Sequence, residues 1–296
     1  MFESSLEYLH CVNCNNKPLK LDVLKKEGSE IVEGFIVCKK CLIKYPIIKK
    51  VPILWSDFTS YLITRPSLGG LFLTRYAETQ EVRSFIKKSL NKINKHVEDR
   101  YKIEKRWVEI YENSKNSSFY SFLKSYLQKL PKQKLVIEHG CSIGLITNYV
   151  SKFSEIVFGI DTSFSAILTA KKNQGKKTEY LVTDSIFHPF GSQLFDLVIG
   201  LNILDIIEPR DLLSVLSYQT KKNGFLVLSD PYDYKRGAPF VRKPITETNL
   251  RNHLRSLGFG IRFGTQKPSF LKWSLNLNRR AKLEYKSDVV IGKKLR

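Results

Sequence analysis

Short apolar runs that end in a polar residue recur through the second half of the chain. They alternate with stretches whose apolar residues have helical spacing, and this alternation is typical of an α/β fold with a parallel sheet. Five runs predict strands in order: Leu135 to Glu138, Ile156 to Asp161, Tyr180 to Asp184, Phe195 to Asn202 and Phe225 to Asp230. Open α/β sheets bind ligands at the carboxyl ends of their strands, so the polar residues there are candidates for a binding site.

The loop after the first of these strands is built from small residues. Gly140-Cys-Ser-Ile-Gly144 separates the strand from a helix-compatible run, Leu145 to Phe153. Because small residues let backbone N–H groups approach a ligand, the strand, turn and helix predict a nucleotide-binding loop. The spacing differs from the G-x-G-x-x-G pattern of dinucleotide-binding folds, and no second glycine pattern supports a nicotinamide-dependent oxidoreductase.

Other segments give weaker signals. From about Thr79 to Asn113, apolar residues including Phe85, Val97 and Trp107 recur at a loose amphipathic spacing among many basic residues. Either a solvated helix face or an RNA-facing lid fits this pattern. Thr246 to Leu257 predicts a helix, and Val289-Val-Ile-Gly predicts a closing strand.

Four of the five cysteines form two C-x₂-C pairs near the N-terminus. Cys11 and Cys14 are separated from Cys38 and Cys41 by 23 residues. This spacing predicts a closed, tetrahedral and therefore structural Zn²⁺ site. Disulfides and redox chemistry are the alternatives, but a cytoplasmic chain disfavours stable disulfides and no βαβ pattern surrounds the pairs. The fifth, Cys141, fits a small loop residue better than a nucleophile.

The charge balance restricts the partners of the protein. Its 49 Lys and Arg residues against 28 Asp and Glu give a net charge of +21. This favours RNA or an acidic protein surface, although lysines scattered along the whole chain also fit a lysine-rich background. No apolar run approaches the roughly 20 residues of a membrane span, and no secretory signal is visible. We therefore expect a cytoplasmic protein with no membrane partner.

The small-residue loop and the acid before it resemble a known motif. Glu138-x-Gly140-x-Ser142-x-Gly144 resembles motif I, [DE]-x-G-x-G-x-G, of the class I S-adenosylmethionine-dependent methyltransferases. The resemblance implies a Rossmann-like α/β fold with a seven-stranded sheet, and S-adenosylmethionine as cofactor. Asp161 matches the ribose-binding carboxylate, and Asp184-Ser185 the adenine-contacting position. The implied cofactor-binding residues are Glu138, Gly140, Cys141, Ser142, Gly144, Asp161, Thr162, Asp184, Ser185 and Asn202.

The cysteine-rich segment carries a second resemblance. The sequence around both pairs and its end, Tyr45-Pro-Ile…Val51-Pro-Ile-Leu54, is similar to the small zinc-ribbon family that activates methyltransferases of the translation apparatus. In that family the ribbon is usually a separate subunit. Fusion in cis gives the ribbon a high effective concentration, so we expect a monomer. The predicted segments are a zinc ribbon (1–55), a helical linker or lid (56–115) and the methyltransferase domain (116–296).

Methyl transfer from a sulfonium mainly requires that the nucleophile be positioned. The residues that follow the fourth and fifth strands are the candidates for this role: Asn202, Asp205, Asp230, Tyr232 and Tyr234. Asn202 or Asp205 could orient an amine or imidazole by accepting its hydrogen bond, and the tyrosines could stack on a planar substrate. Alternatively, Asp205 caps the helix that follows, and the tyrosines are core residues.

Three functions follow from these features. The charge and the ribbon favour methylation of a nitrogen or oxygen on a translation-apparatus RNA or protein. The segment Leu228-Ser-Asp-Pro-Tyr-Asp-Tyr234 instead resembles the S-P-Y-x-W signature of ovothiol-type imidazole N-methyltransferases, with Asp230 and Tyr234 in place of the serine and tryptophan. A catalytically silent cofactor-binding scaffold is the third possibility, since His139 and Ser142 depart from the motif.

Overall fold

The computed structural model describes residues 1–93, 98–175, 177–235 and 241–296. The strands in these residues form two sheets. They are β1 (Lys20–Glu27), β2 (Glu30–Val37), β3 (Lys44–Ile48), β4 (Val51–Pro52), β5 (Gln133–His139), β6 (Ser154–Asp161), β7 (Thr178–Val182), β8 (Phe195–Leu201), β9 (Thr220–Asp230), β10 (Phe259–Ile261), β11 (Leu271–Asn276) and β12 (Lys282–Lys294).

The helices of the described residues lie mostly between the strands of the larger sheet or in the segment that follows β4. They are α1 (Phe58–Ile63), α2 (Thr74–Tyr76), α3 (Gln80–Leu90), α4 (Arg100–Ser114), α5 (Ser118–Leu127), α6 (Leu145–Val150), α7 (Phe164–Lys172), α8 (Pro209–Gln219) and α9 (Glu247–Ser256). A 3₁₀ turn spans Glu3–Tyr8 and a π-helix spans Leu68–Leu73. The helical pattern expected from Thr79 to Asn113 is thus divided between α3 and α4, and Val97 lies outside the described residues.

The larger sheet has the strand order β10-β12-β9-β8-β5-β6-β7. The pairs β5–β8 and β8–β9 are parallel, whereas β12 runs antiparallel to β9 and to β10. The predicted α/β fold is confirmed, and seven strands lie on the main path of the sheet. An eighth, β11, pairs only with β12 and was not predicted. The strand order reverses around β5, and such a switch point is where open α/β sheets bind ligands.

The chain folds into two compact units. Unit 1 comprises Met1–Glu109, Ile160–Gln174 and Glu179–Gly191. Unit 2 comprises Ile110–Gly159, Gly175–Thr178 and Ser192–Arg296. The boundaries of the predicted zinc ribbon (1–55), helical linker or lid (56–115) and methyltransferase domain (116–296) stay a prediction.

The core of unit 2 is formed by β5, β8 and β9. Each strand contributes an uninterrupted buried apolar run: Leu135-Val136-Ile137, Leu197-Val198-Ile199 and Leu226-Val227-Leu228. Strands of a parallel sheet are covered on both faces, and they are therefore apolar without alternation. The first polar residues after these runs are Glu138, Asn202 and Ser229, so polar groups begin at the carboxyl edge.

The four-stranded antiparallel sheet β1-β2-β3-β4 belongs to unit 1. The two residues that follow its last strand pair with β7. Ile53 forms a parallel bridge with Val182, and the Leu54 N–H donates to the Val182 carbonyl at 2.8 Å. The fully buried Glu33 of β2 accepts the backbone N–H groups of Glu78 and Thr79, both at 2.7 Å. Glu33 therefore satisfies N–H groups at the start of α3, a role that is usually performed by a local cap residue.

Candidate active site

The loop after β5 has three residues with left-handed backbone conformation. Gly140, Ser142 and Gly144 have φ angles of 64°, 48° and 75°. A Cβ on Gly140 would lie 2.6 Å from the Ile203 Cγ2 atom, so both the φ angle and the space require glycine there. Ser142 adopts the same region without being glycine, which places strain at a candidate binding loop. The sequence therefore folds this segment into a tight turn at the switch point of the sheet.

A pocket in unit 2 opens beside this loop. Glu138 contributes a buried carboxylate, and the Thr147 hydroxyl of α6 donates to it. Leu201 and Asn202 contribute the end of β8. The other lining residues are aromatic or come from the loop after β5 and the start of α6: Tyr111, Phe119, Tyr120, Gly140, Cys141, Ser142, Ile143, Leu145, Ile146 and Trp273. The structure thus brings four predicted cofactor residues of β5 and its loop (Glu138, Gly140, Cys141 and Ser142), together with Asn202, to one pocket.

The aromatic wall of this pocket was not predicted from the sequence. Phe119 and Tyr120 come from α5, and Trp273 comes from β11, where its ring centroid lies 5.9 Å from that of Phe119. Trp273 is only 1% exposed. A signal was present, because Leu271, Trp273 and Leu275 alternate with polar residues in the pattern of a half-buried strand.

Unit 1 carries the acids at the ends of β6 and β7. The Asp161 carboxylate accepts the Ser163 N–H at 2.8 Å, and Asp184 accepts the N–H groups of Ile186 and Phe187 at 2.6 and 3.2 Å. The Thr183 N–H donates to the Asp161 carbonyl at 3.1 Å, which joins the two strand ends. Both carboxylates are only partly buried, so each is rigidly held and still reachable by a ligand. Ser185 is buried beside them.

Asn202 is fixed by two hydroxyl groups. Its amide oxygen accepts hydrogen bonds from Ser229 at 3.0 Å and from Ser287 at 2.9 Å, and its backbone has a φ angle of 55°. The two bonds use both lone pairs of the oxygen. The geometry therefore supports a positioning role for Asn202 rather than the expected role as acceptor of a substrate hydrogen bond.

Asp205 and Asp230 are both fully buried. Asp230 accepts the N–H groups of Leu204 at 2.9 Å and Tyr232 at 2.8 Å, so it holds the turns after β8 and β9 together. The alternative that Asp205 caps the next helix is wrong, because the residue at the cap position of α8 is Glu208. Asp205, three residues before this cap position, is buried inside the protein instead.

The two tyrosines after β9 use their hydroxyl groups within the protein. The Tyr232 hydroxyl donates to Asp288 at 3.1 Å, and the Tyr234 hydroxyl donates to the Ile245 carbonyl at 2.8 Å. Burial, followed by the nearby carboxylates, raises the pKa of Tyr232, and burial is also the largest cause that raises the pKa of Tyr234 to about 12. Both phenols are therefore protonated at neutral pH, and neither is a general base.

Comparison with known proteins gives a match for the segment from β5 to β9. Residues 137–228 match the family model described as a methyltransferase domain. The fold of the chain is that of the N-methyltransferase NodS from Bradyrhizobium japonicum WM9 in complex with S-adenosyl-L-homocysteine, with a TM-score of 0.50 and 15% identity over 66% of this chain and 98% of that chain. No curated protein sequence matches the chain.

Two further solved structures are similar to this chain. Magnesium protoporphyrin IX methyltransferase (ChlM) from Synechocystis PCC 6803 with bound S-adenosylmethionine has a TM-score of 0.48 and 18% identity, covering 68% of this chain and 100% of that chain. The complex between the Haloferax volcanii Trm112 methyltransferase activator and a methyltransferase has a TM-score of 0.49 and 13% identity, covering 65% and 98%. In the described part of the chain, no helix has the length and apolar character needed to cross a membrane.

The four N-terminal cysteines converge as their spacing predicts. Their Sγ atoms all lie within 4.8 Å of one another, with 3.5 Å between Cys11 and Cys41 and between Cys14 and Cys38. Four thiolates at about 2.3 Å from a tetrahedral Zn²⁺ would lie about 3.8 Å apart, so the cluster is compatible with zinc. Each pair closes a similar turn: Asn15 N–H donates to Cys11 O at 2.8 Å, and Leu42 N–H to Cys38 O at 2.9 Å.

The loop after β7 packs against the first cysteine turn in unit 1. The His10 N–H donates to the Pro189 carbonyl at 2.7 Å, and His188 accepts the Phe190 N–H at its Nδ1 atom at 3.1 Å. Burial, with a smaller contribution from His10, lowers the pKa of His188 to about 4. The imidazole is thus a neutral acceptor that orders the loop, rather than a proton donor.

His188 should make the stability of the protein fall in mild acid. The ordinary pKa is 6.5, so between pH 6.5 and about 4 the unfolded state binds the proton that the folded state excludes. The stabilisation is complete above pH 6.5 and is lost as pH falls, by about 3 kcal/mol in total. Urea unfolding at pH 7.5 and 5.0 should show a smaller loss for His188→Gln than for the native chain. Equal losses in the two proteins would contradict the assignment.

Proposed function

We propose that the chain is an active S-adenosylmethionine-dependent methyltransferase with its own structural zinc ribbon. The observation that carries the proposal is the loop after β5, whose left-handed residues Gly140 and Ser142 line one pocket with Glu138 and Asn202. A loop with so little side-chain bulk allows backbone N–H groups to contact the carboxylate and amine of a methionine moiety. The aromatic wall that faces it suits a sulfonium, because π faces attract cations.

The acids at the ends of β6 and β7 are the candidates for binding the adenosine moiety. We infer that Asp161 accepts hydrogen bonds from the ribose hydroxyls, and that Asp184 and Ser185 contact the adenine, as the motif resemblance implies. Thr162 follows Asp161, and its carbonyl is held by the Tyr61 hydroxyl at 3.1 Å. The acids keep exposed surface, which a ligand needs in order to reach them. Cys141 then acts as a small loop residue, with its Sγ directed to the Ser142 carbonyl at 3.8 Å.

We propose that Cys11, Cys14, Cys38 and Cys41 hold Zn²⁺ as thiolates. Four protein ligands leave no open coordination position, so the ion would supply stability and no catalytic chemistry. The ribbon is continuous with the strand that bridges β7, and its role would be to cover that edge in the same chain. This arrangement favours a monomer, because the stabilising partner is supplied in cis.

The acceptor is proposed to be a nitrogen or oxygen nucleophile on a translation-apparatus RNA or protein. A polar groove in unit 2 is lined by the outward-facing residues of β11 and by the ends of α4 and α5: Asn113, Ser114, Asn116, Ser117, Ser118, Lys272, Ser274, Asn276 and Lys282. Its inward-facing neighbour Trp273 lines the pocket at the cofactor loop. Hydroxyl, amide and ammonium groups together suit a phosphate backbone, and the net charge of +21 agrees.

The turn after β9 has a supporting role in this proposal. Asp230 fixes the backbone of Tyr232, which has a φ angle of 55°. The hydroxyl groups of Tyr232 and Tyr234 are occupied within the protein, so their rings rather than their oxygens would contact a planar acceptor. Asp205 lies buried beside this turn, where its charge contributes to the raised pKa of Tyr234 after burial and Asp230.

The proposal is tested by binding and then by transfer. Calorimetric titration of the zinc-loaded protein with S-adenosylmethionine should give a single site, and Asp161→Ala should weaken it about 100-fold because two hydrogen bonds to a charged group are lost. Asp233→Ala, an acid in the turn after β9, is the matched control and should bind normally. No binding by the native chain would refute the enzyme.

Radiolabelled methyl transfer to fractionated cell extract identifies the acceptor class. We expect label in a macromolecular fraction, and ribonuclease treatment separates RNA from protein. Label confined to small molecules would contradict the macromolecular acceptor and favour an imidazole compound. Cofactor binding without any transfer would instead favour a silent scaffold.

A further inference from the structure

The segment that leaves the ribbon runs along the edge of β7. Ile53 bridges Val182 in parallel, and the next N–H, that of Leu54, donates to the Val182 carbonyl at 2.8 Å. The next residue is Trp55, which therefore lies close to the carboxyl end of β7, and its side chain is partly exposed.

A buried tyrosine connects Trp55 to the other acid of unit 1. The ring centroids of Trp55 and Tyr61 lie 5.2 Å apart. Tyr61 is fully buried, and its hydroxyl donates to the carbonyl of Thr162 at 3.1 Å, directly after Asp161. The same aromatic pair thus lies at the ends of both β6 and β7.

The two rings are held in place by an arginine. The Arg65 guanidinium carbon lies 4.4 Å from the Tyr61 ring centroid and 6.0 Å from that of Trp55. Arg65 is 1% exposed, and its Nη2 and Nε atoms donate to Oε1 of Glu104 in α4 at 2.6 and 2.9 Å, while Nε also donates to Oε2 at 3.2 Å. A planar guanidinium fixed in this way is a rigid support for the aromatic rings that it contacts.

An aromatic ring held near Asp161 and Asp184, which we assign to the ribose and the adenine, is suited to bind the adenine base. Stacking on an aromatic side chain is tolerant of the base but requires a flat, preorganised ring with one accessible face. Trp55 is a candidate for this contact, since Tyr61 and Arg65 lie against its ring and its side chain is partly exposed. Tyr61, by contrast, is fully buried, so its role is to hold the Trp55 ring in place.

We propose that Trp55 stacks on the adenine of the bound cofactor, so that the exit segment of the zinc ribbon forms part of the cofactor site. The inference rests on the proposed binding of S-adenosylmethionine. It makes the ribbon more than a stabiliser, because affinity for the adenosine moiety then depends on the docking of β4 against β7. Arg65 and Glu104 act as positioning residues for this ring.

The test compares cofactor affinity in matched tryptophan variants. Trp55→Ala should weaken binding of S-adenosylhomocysteine about tenfold, as expected for one lost stacking contact. It should weaken 5′-methylthioadenosine by the same factor, because the contact concerns only the adenosine. Trp107→Ala, which alters another partly buried tryptophan of unit 1, should leave both affinities unchanged. Zinc content and the unfolding midpoint verify that each variant is folded.

A conservative variant gives a second readout that does not depend on stability. Trp55→Phe should retain most of the affinity. In a Trp273→Phe background, which removes the tryptophan of the pocket wall, Trp55→Phe should lose the ligand-induced change in tryptophan fluorescence, whereas Trp107→Phe should keep that change. Native affinity in folded Trp55→Ala, or a fluorescence change that persists when both Trp55 and Trp273 are phenylalanine, would overturn the inference while leaving the methyltransferase intact. Failure of the native chain to bind would refute both.

Discussion

Cys38→Ser is expected to remove the bound zinc and unfold the four-stranded sheet of unit 1. Cys38 is fully buried, and its Sγ atom belongs to the four-sulfur cluster. A segment this small has little core of its own, and structural zinc contributes about 10 kcal/mol or more to the folding of comparable sites. Elemental analysis should find one zinc per native chain and none in the variant. The urea midpoint of the ribbon should fall below the measurable range.

Cys141→Ser is the matched control for this experiment. It is the cysteine outside the cluster, it is buried in unit 2, and its Sγ atom lies 3.8 Å from the Ser142 carbonyl oxygen. The variant should retain one zinc and unfold like the native chain. If Cys38→Ser also kept its metal and its midpoint, the four-thiolate site would be wrong. Chelation of the native protein should reproduce the effect of the substitution.

The cysteine site and the cofactor loop could be predicted because their geometry is local. Each C-x₂-C turn closes through a hydrogen bond from the residue after its second cysteine to the carbonyl of its first cysteine. The two donor residues, Asn15 and Leu42, have the left-handed backbone conformation. The loop from Gly140 to Gly144 is likewise determined by small residues within one turn. Such features depend on neighbours in sequence, and residue types at fixed spacing record them directly.

The walls of the pocket could not be predicted, since they depend on contacts between distant segments. Trp273 reaches the pocket only because β11 pairs with the extended first half of β12. The ion pair of Arg65 joins a residue 39 positions away, and its two members carry no pattern that marks them as partners. Long-range pairing is set by the whole fold, so the sequence identified the cofactor loop but not its aromatic surroundings.

The buried ion pair between Asp288 and Arg251 is the second feature whose loss we expect to lower the stability strongly. One oxygen accepts from Arg251 at 2.6 Å and from Tyr232 at 3.1 Å, and the other accepts from Arg251 and the Ser269 N–H at 3.0 and 2.9 Å. Both members of the pair are almost completely buried. Asp288→Ala leaves the guanidinium charged and buried, which should lower the free energy of unfolding by about 3–5 kcal/mol.

The double variant Arg251→Met/Asp288→Leu separates the charge from the packing. It removes both charges, so it should recover part of the stability lost in Asp288→Ala, although carbonyls that Arg251 contacts, such as that of Thr265, lose their donor. Glu284→Gln, which alters an exposed pair with Lys272, is the control and should leave the urea midpoint almost unchanged. An Asp288→Ala midpoint equal to that of Glu284→Gln would contradict the prediction. Tyr232, a proposed acceptor-side residue, loses its hydroxyl acceptor in Asp288→Ala, so methyl transfer should fall further than cofactor binding.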